Sequence, residues 1–413
     1  MTAKFDTIIV GGGIVGATAA YYLAKAGKRV ALFEKGRIAG EQSSRNWGAV
    51  RVQGRDPSQV PMMLDCLDIW RGIEAELGED IDWRQNGQMR VGYSDADVGR
   101  MEAVVDQARE LGYGSRLLTR AETEALLPHF NGDGMKAALY NPDDGCAEPE
   151  KAAPAFARGA ARLGAEIHDF TAVTSVEASG GQVSGVWTEK GLYEAETVIL
   201  ASGAWTRLLL KPLGVSHPSL WIRGSVARTA PVPIEMRQMV VWGRTAYRQL
   251  PDGRVNIAVS EDGFHDLMID SLFYGFKFLP LAVKNWRNLR LNLGRTMVQN
   301  LMGDYADFTT HRTLDPRPDW RGLERARKLF QQDYPAAGEL RYERAWAGQI
   351  DYMPDELPVI DQAHNLPGLF IAAGLSGNGF GIGPVVGRIL RDLIVNGQSK
   401  YDLTPFSMQR FGR

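Results

Sequence analysis

Residues 6–36, DTIIVGGGIVGATAAYYLAKAGKRVALFEKG, restrict the fold of this chain more than any other stretch. Thr7–Val10 and Val30–Phe33 are apolar runs of the length expected of buried parallel strands. Between them, apolar residues recur with helical spacing until Gly27. The stretch therefore predicts a strand–helix–strand unit, and with it a mixed α/β fold built on a parallel sheet.

Three glycines lie where the first strand passes into the helix. Gly11, Gly13 and Gly16 form G-x-G-x-x-G, in which the first allows a tight turn and the second lets a pyrophosphate approach the backbone. The third lets helix and strand pack closely. Free N–H groups at the helix start, including those of Ile14 and Val15, favour phosphate. The spacing predicts a dinucleotide site.

An acid ends the second strand. Glu34 follows Gly11 by 23 positions, about where a carboxylate accepts hydrogen bonds from ribose hydroxyls, and Lys35 adjoins it. A carboxylate here would repel the extra phosphate of NADP. NAD and FAD both remain open at this point.

Two later segments favour FAD, because a flavin ring must be held by distant parts of the chain once its adenosine is bound. An apolar strand within residues 193–205 ends in small residues that would let a cofactor approach the backbone. These are Ala201, Ser202 and Gly203. A second strand, Leu369–Ala373, leads through a glycine-rich turn into a helix. The candidate contacts in this turn are Gly374, Gly377, Asn378, Gly379, Phe380, Gly381 and Ile382.

Composition excludes several other classes of protein. A chain of 413 residues predicts two domains, and a formal charge of −2 without a basic arm excludes nucleic-acid binding. Cys66 and Cys146 are 80 positions apart, so neither a metal site nor a disulfide is indicated. Met1 lies too close to the first apolar run for a signal peptide, and no apolar stretch is long enough to span a membrane. We expect a cytoplasmic protein.

Segments that do not look like nucleotide-binding units predict a second domain. Residues 83–93, 220–229 and 240–259 read as strands, the last with a turn at Asp252–Gly253. We expect these strands to form an antiparallel sheet that covers the flavin. The predicted Rossmann-like FAD domain comprises 1–80, 143–215 and 340–413, and the α+β substrate domain comprises 81–142 and 216–339. A helical insertion is expected at about 262–306.

The chain resembles the D-amino-acid oxidase-like flavoproteins over nearly its whole length. EKGRIAGEQSSR, SLFYGFKFLPL, PDELPVI and PFSMQRF are similar to segments of the bacterial membrane-associated L-amino-acid deaminases. The glycine motifs are typical of the superfamily, whereas these four segments are more specific.

The resemblance implies further contacts with FAD, bound without a covalent link because the loop after Glu34 contains no cysteine or histidine. The polar part of this loop would wrap the pyrophosphate and reach the flavin through Gln42, Ser43, Ser44, Arg45 and Asn46. Gly48 and Ala49 would lie beside the ring. Val173 would contact adenine through its backbone.

The resemblance also implies a substrate site. Arg248 matches the arginine that binds the substrate carboxylate, for which a bidentate guanidinium is suited. Arg51, Gln53 and Arg223 are weaker candidates. Trp346 has a family counterpart as an aromatic wall of the pocket. Tyr247 is a further aromatic candidate without a counterpart, because strand alternation should point it away from Arg248.

These residues predict an oxidoreductase that deaminates an amino acid, with the L series favoured. Hydride transfer from Cα to flavin N5 needs a neutral amine and a fixed geometry, and the released imine hydrolyses to a 2-oxo acid and ammonia. The scattered histidines suggest no acid–base constellation. N-alkyl amino acids, opines, D-amino acids and 2-hydroxy acids remain alternative substrates, and a non-catalytic flavoprotein subunit is an alternative role.

The insertion raises the question of the electron acceptor. Residues 266–303 alternate apolar and basic side chains and predict two amphipathic helices broken near Pro280. They either pack on the substrate sheet or touch lipid at the inner face of the membrane, where a quinone would accept electrons. Related deaminases also have an N-terminal anchor, which we do not expect here. Dioxygen is the other acceptor considered.

Overall fold

A computed structural model describes residues 4–242, 245–259, 263–284, 289–292 and 307–412. The strands are β1 (Lys4–Val10), β2 (Val30–Phe33), β3 (Ala49–Val50), β4 (Gln88–Gly92), β5 (Arg116–Leu118), β6 (Ala137–Asn141), β7 (Gly145–Cys146), β8 (Glu166–His168), β9 (Val173–Ser179), β10 (Gln182–Thr188), β11 (Gly191–Leu200), β12 (Leu220–Thr229), β13 (Met239–Trp242), β14 (Thr245–Gln249), β15 (Val255–Val259), β16 (Gly263–Asp266), β17 (Leu289–Asn292), β18 (Tyr342–Tyr352), β19 (Val359–Gln362) and β20 (Leu369–Ala373).

The helices connect and cover these strands. They are α1 (Ile14–Lys25), α2 (Gln42–Arg45), α3 (Val60–Leu77), α4 (Asp95–Leu111), α5 (Arg120–Leu126), α6 (Pro149–Arg162), α7 (Thr206–Leu210), α8 (Ile269–Tyr274), α9 (Leu279–Lys284), α10 (Trp320–Asp333) and α11 (Gly379–Asn396). Short 3-10 helices occupy Pro57–Gln59, Gly203–Trp205, Lys211–Leu213, Gly275–Phe278, Pro335–Ala337, Thr404–Phe406 and Met408–Phe411.

The first sheet contains the predicted nucleotide-binding unit. Its main path runs β19-β20-β11-β1-β2-β8, and β20, β11, β1, β2 and β8 pair in parallel. Successive residues of each strand enter different cores, since Ile9 packs with α1 and α11 while Ile8 and Val10 pack on the opposite face. The sheet is thus buried on both faces, as its continuous apolar strands predict.

The second sheet is mostly antiparallel and follows the path β17-β16-β12-β15-β14-β13-β4-β6-β5, with β18 pairing against β12. The predicted hairpin joins β14 to β15, and Gly253 at its turn has φ +84°. One face of this sheet packs on Phe330 of α10 and on Tyr334, which follows that helix. The mixed α/β architecture with a second antiparallel sheet is confirmed.

Two details differ from the sequence prediction. Strand β18 belongs to the second sheet by its pairing with β12, although the prediction assigned all of 340–413 to the nucleotide domain. In the insertion, the helical path changes at Gly275–Phe278, and Pro280 lies in the first turn of α9, where proline is tolerated. Residues 289–292 form β17 rather than a helix, and 260–262, 285–288 and 293–306 of the insertion lie outside the described residues.

Candidate active site

A cavity opens at the carboxyl ends of the parallel strands β1, β2, β11 and β20, the edge at which open α/β sheets bind ligands. It continues from the glycine turn after β1 towards β18 of the second sheet, where Gln349, Ile350 and Asp351 line it. The cavity is therefore elongated between the two sheets, as a dinucleotide cofactor requires.

The glycine turn has the backbone geometry that its sequence predicts. Gly11 has φ +108°, and a Cβ there would lie 2.5 Å from the carbonyl oxygen of Ala201. The amide of Ile14, the first residue of α1, is not free as predicted but donates to Ser43 Oγ at 2.8 Å. The start of α1 is thus joined to α2, and both elements line the same end of the cavity.

Glu34 is held by backbone donors on both of its oxygens. Gly12 N donates to Oε2 at 2.8 Å and Gly36 N donates to Oε1 at 2.7 Å. Burial raises the pKa of Glu34, while these two N–H donors oppose that rise. Because each carboxylate oxygen accepts more than one hydrogen bond, Glu34 can still accept from the hydroxyls of a ribose.

Lys35 belongs to a polar network on the same side of the cavity. Its Nζ donates to Glu41 Oε1 at 3.2 Å and to His311 O at 2.8 Å, and lies 3.6 Å from the ring centroid of Trp205. Burial lowers the pKa of Lys35, and Glu41 partly offsets this. Trp205 Nε1 also donates to Glu41, so the network fixes the chain just before α2.

Three acceptor atoms along the cavity have no hydrogen-bond partner among the residues that the structure describes. They are Gln42 Oε1, Gln349 Oε1 and Asp351 Oδ1, all buried. Unpaired buried acceptors are costly, so their position indicates a ligand that carries donors. The ribityl hydroxyls and the N3–H of a flavin are such donors, and FAD fits the cavity in its chemistry.

Many of the predicted cofactor residues line the cavity together. They are Gly11, Gly13, Ile14, Val15, Glu34, Lys35, Gln42, Ser43, Asn46, Val173, Ala201, Ser202, Gly203, Gly377, Gly379 and Phe380. Other predicted contacts lie behind this lining, namely Gly16, Ser44, Arg45, Gly48, Ala49, Gly374, Asn378, Gly381 and Ile382.

The residues behind the lining have structural partners of their own. Gly16 packs against the carbonyl of Gly11 inside the turn, and Arg45 Nη1 donates to Ala347 O at 3.0 Å. The carbonyl of Gly381 accepts from Trp70 Nε1 at 2.8 Å, on the side of α11 that faces α3. Asn378 immediately precedes α11. These residues shape the site without lining the cavity.

Part of the cavity lining was not predicted from the sequence. Glu41, Trp205, Phe308, Gln349, Ile350 and Asp351 line the cavity but were not identified. Glu41 and Trp205 adjoin predicted contacts in the sequence, so the same segments could have indicated them. Gln349–Asp351 are brought in by the pairing of β18 with β12, which no local pattern shows.

Arg248 lies on the face of the second sheet that meets the loop after α2. Its side chain is 2% exposed, and its Nη2 donates to Glu148 Oε2 at 3.0 Å. Its Nε donates to the carbonyl of Trp47. A Cβ on Gly48 would lie 2.8 Å from both Nε and Nη2 of Arg248, so a glycine is needed there. Arg248 is not among the residues that line the cavity, and it is linked to that lining through the loop in which Asn46 lines the cavity and the next residue, Trp47, accepts from Arg248.

Trp346 lies on this same face of the sheet. It is half-buried, and its Nε1 donates to Arg45 O at 2.9 Å. The guanidinium groups of Arg228 and Arg344 lie 5.6 Å and 5.1 Å from its ring centroids. Trp346 thus contacts the loop after Glu34 through Arg45, and two guanidinium groups lie near its rings.

Tyr247 lies on the opposite face, so the prediction that it is a wall of the pocket is wrong. Its hydroxyl donates to Asp333 Oδ2 at 3.0 Å, and its ring packs edge-on against Phe330 of α10 and against Tyr334, which follows that helix. Strand alternation explains this placement, because neighbouring residues of β14 point to opposite faces.

The weaker carboxylate-binding candidates have other partners. Arg51 Nη2 donates to Asn378 Oδ1 at 3.4 Å, so it lies near the start of α11. Gln53 accepts from Gln88 Nε2 at 3.2 Å and is 1% exposed. Arg223 stacks on Phe264 at 3.9 Å and donates to Arg317 O at 3.0 Å. Among the hydrogen bonds of the described residues, none joins Arg51, Gln53 or Arg223 to Arg248.

The described residues contain no group of side chains with the composition of a metal site. Cys66 and Cys146 are buried free thiols, and burial raises the pKa of both. No helix in the described ranges is both long and apolar enough to cross a membrane.

Comparison with known proteins identifies the family. The model of the family described as DAO, FAD dependent oxidoreductase, matches residues 6–393. The chain belongs to this family. As a DAO-family protein it uses FAD, and it is an FAD-dependent amino acid or amine oxidoreductase. The predictions of FAD and of the enzyme class are confirmed.

Individual relatives cover nearly the whole chain. A glycine oxidase of Geobacillus kaustophilus (strain HTA426) is 27% identical over 419 residues, covering 99% of this chain and 98% of the relative. The chain is 25% identical to a 4-methylaminobutanoate oxidase (formaldehyde-forming) of Paenarthrobacter nicotinovorans, with 98% of the chain covered but only 45% of that protein. An L-amino acid deaminase structure from Proteus myxofaciens, in complex with anthranilate, superposes with a TM-score of 0.95 at 26% identity, covering 100% and 95% of the two chains.

Proposed function

We propose that this protein oxidatively deaminates an α-amino acid, favouring the L series, to a 2-oxo acid and ammonia. The observation that carries the proposal is a buried arginine, Arg248, on the sheet face that meets the cofactor loop. The similarity of the whole chain to a Proteus L-amino acid deaminase supports the L series.

The residues along the cavity would hold FAD in an extended form. Glu34 would accept from the ribose, the turn at Gly11 and Gly13 would receive the pyrophosphate, and Gln42 would accept from the ribityl chain or ring. Bound FAD supplies the acceptor for a hydride from the substrate Cα.

The chain's own contribution to the reaction is to position the substrate. Arg248 would bind the carboxylate, with Trp346 beside it limiting the space for the side chain. Fixing the carboxylate fixes Cα, and correct placement of reacting atoms supplies a large part of the rate. Because the site is buried, each hydrogen bond to the carboxylate is stronger than it would be in water.

A substrate panel tests this proposal. Turnover with L-amino acids, their D enantiomers, N-methyl amino acids and 2-hydroxy acids should yield 2-oxo acid and ammonia in equal amounts with the L-amino acids alone. Formaldehyde from the N-methyl compounds would instead favour a demethylating oxidase. A preference for 2-hydroxy acids, with no ammonia released, would rule out deamination.

We also propose that the segment formed by α8, the 3-10 turn and α9 touches a membrane and that electrons pass there to a quinone. Five large apolar side chains protrude from it. Their exposures are Leu272 78%, Phe273 67%, Phe276 63%, Leu279 59% and Val283 71%. Their spacing places them along one side of the helical path, and Lys284, with its side chain 72% exposed, adds positive charge.

Polar substitutions on this segment should weaken membrane binding. Phe273→Ser with Phe276→Ser should lower co-sedimentation with vesicles of anionic lipid by about tenfold or more, because two exposed aromatic side chains are lost. Leu163→Ser is the matched control, since Leu163 is 46% exposed at the carboxyl end of α6, outside the segment. Equal sedimentation of all three proteins would leave dioxygen as the favoured acceptor.

A further inference from the structure

We infer that Glu148 binds the amine of the substrate and thereby restricts the site to amino acids, excluding ligands that have a carboxylate alone. This inference rests on the proposed function, because it takes Arg248 as the carboxylate-binding residue. Glu148 would thus determine specificity, although no sequence pattern indicated it.

Glu148 lies between two arginines on the face of the second sheet that meets the loop after α2. Its Oε2 accepts from Arg248 Nη2 at 3.0 Å, and its Oε1 lies 3.5 Å from Arg228 Nη2. All three are largely buried, with side-chain exposures of 2% for Arg248, 11% for Glu148 and 16% for Arg228. Two positive charges therefore share one negative charge away from water.

The position of Glu148 in the chain does not itself account for this arrangement. Glu148 immediately precedes α6, a position where a side chain often accepts from the first amides of the helix, yet it makes no such capping bond. Its side chain extends instead to the facing sheet, across the loop that carries Gly48. The carboxylate is thus placed by its contacts with the arginines.

A neighbouring amide completes the cluster. Asn256 is 1% exposed and lies directly opposite both Arg228 and Arg248 in the sheet register. Its Oδ1 accepts from Arg228 Nε at 2.9 Å, and since arginine only donates, the orientation of this amide is fixed. Its Nδ2 then has no acceptor among the described residues.

The charges and donors of this cluster match an amino acid zwitterion. The excess positive charge and the unpaired N–H of Asn256 call for an incoming carboxylate, because a buried cation without a full counter-charge is costly. Glu148, within hydrogen-bond distance of Arg248, offers an acceptor for the ammonium group on the same ligand. The carboxylate of a ligand without nitrogen must compete with Glu148 for Arg248, and such a ligand offers Glu148 no hydrogen-bond donor in return.

Ligand pairs that differ only in the amine test this inference on the FAD-bound protein. The pairs are L-alanine with propionate and L-leucine with 4-methylpentanoate. The carboxylates are titrated without oxygen by the change in flavin absorbance, and the amino acids by the concentration that gives half the maximal rate of flavin reduction. Glu148→Gln should bind both simple carboxylates roughly tenfold more tightly and both amino acids roughly tenfold more weakly, because it frees Arg248 and loses a charged hydrogen bond. Glu148→Asp should restore most of the amino acid affinity.

Glu150→Gln is the matched control, since Glu150 lies two positions away and pairs with Arg344 at 3.0 Å nearer the surface. This variant should bind the amino acids and the simple carboxylates with affinities within about twofold of those of the original protein. A structural role for Glu148 would move both ligand classes in the same direction, and that result, or no change in either, would overturn the inference. A protein whose flavin no amino acid reduces is titrated with all four ligands by flavin absorbance, so it still gives this answer, while its failure in the substrate panel would count against the proposed function.

Discussion

Gly11→Ala should purify without bound FAD and bind added FAD at least about a hundredfold more weakly, with a loss of about 1–3 kcal/mol from backbone strain alone. Gly11 has φ +108°, a conformation that disfavours any side chain, and a Cβ there would lie 2.5 Å from the carbonyl of Ala201. Relief of that contact requires the glycine turn and the end of β11 to separate, and both line the cavity. The ratio of flavin to protein absorbance in the purified variant measures the effect.

Gly27→Ala is the matched control for this substitution. Gly27 also has positive φ, +79°, but nothing lies within 4 Å of its Cβ position, at the far end of α1. It should lose about 1 kcal/mol of stability and keep its FAD. If both variants retained the flavin equally, the glycine turn would not be part of the cofactor site.

Arg248→Ala should retain its FAD but lose about a hundredfold or more in the second-order rate of flavin reduction by amino acids. The substitution removes a buried guanidinium that the proposed function assigns to the substrate carboxylate, and it leaves Glu148 paired with Arg228 alone. Arg248→Lys should recover little, because an ammonium group lacks the planar pair of donors. Anaerobic stopped-flow absorbance at several substrate concentrations separates affinity from the rate of reduction.

Tyr247→Phe is the control for the arginine substitution, being adjacent in sequence and on the opposite face of the sheet. It removes the hydrogen bond to Asp333, so it should lower the melting temperature without changing flavin reduction. Normal reduction by amino acids in Arg248→Ala, with full flavin content, would show that another residue binds the carboxylate.

The sequence predicts the nucleotide-binding half of the molecule well, because its requirements are local. A tight turn at Gly11, a close approach at Gly13 and an acid at Glu34 follow one another within a single strand–helix–strand unit. The observed strands Val30–Phe33 and Leu369–Ala373 have the predicted bounds, since each is a short apolar run ended by a polar or glycine residue.

The substrate side could be predicted only in part, because it is assembled by pairing between distant strands. Strand β18 brings Gln349 and Asp351 to the cavity through its register with β12, more than a hundred residues earlier. Glu148 reaches Arg248 from the start of a helix in a separate segment, and no spacing in the sequence indicates that contact. The orientation of Tyr247, by contrast, could be predicted locally, because its position in the strand next to Arg248 places the two side chains on opposite faces.

An anaerobic absorption spectrum, recorded before and after addition of mixed L-amino acids, tests the central claim most directly. We expect the purified protein to be yellow, with the absorption bands of oxidised flavin, and to bleach when the amino acids are added. The Gly11→Ala protein, carried through the same preparation, should be colourless. A purified protein that carries flavin but keeps its colour with every L-amino acid, and bleaches with a 2-hydroxy acid or an N-alkyl amine instead, would contradict the account.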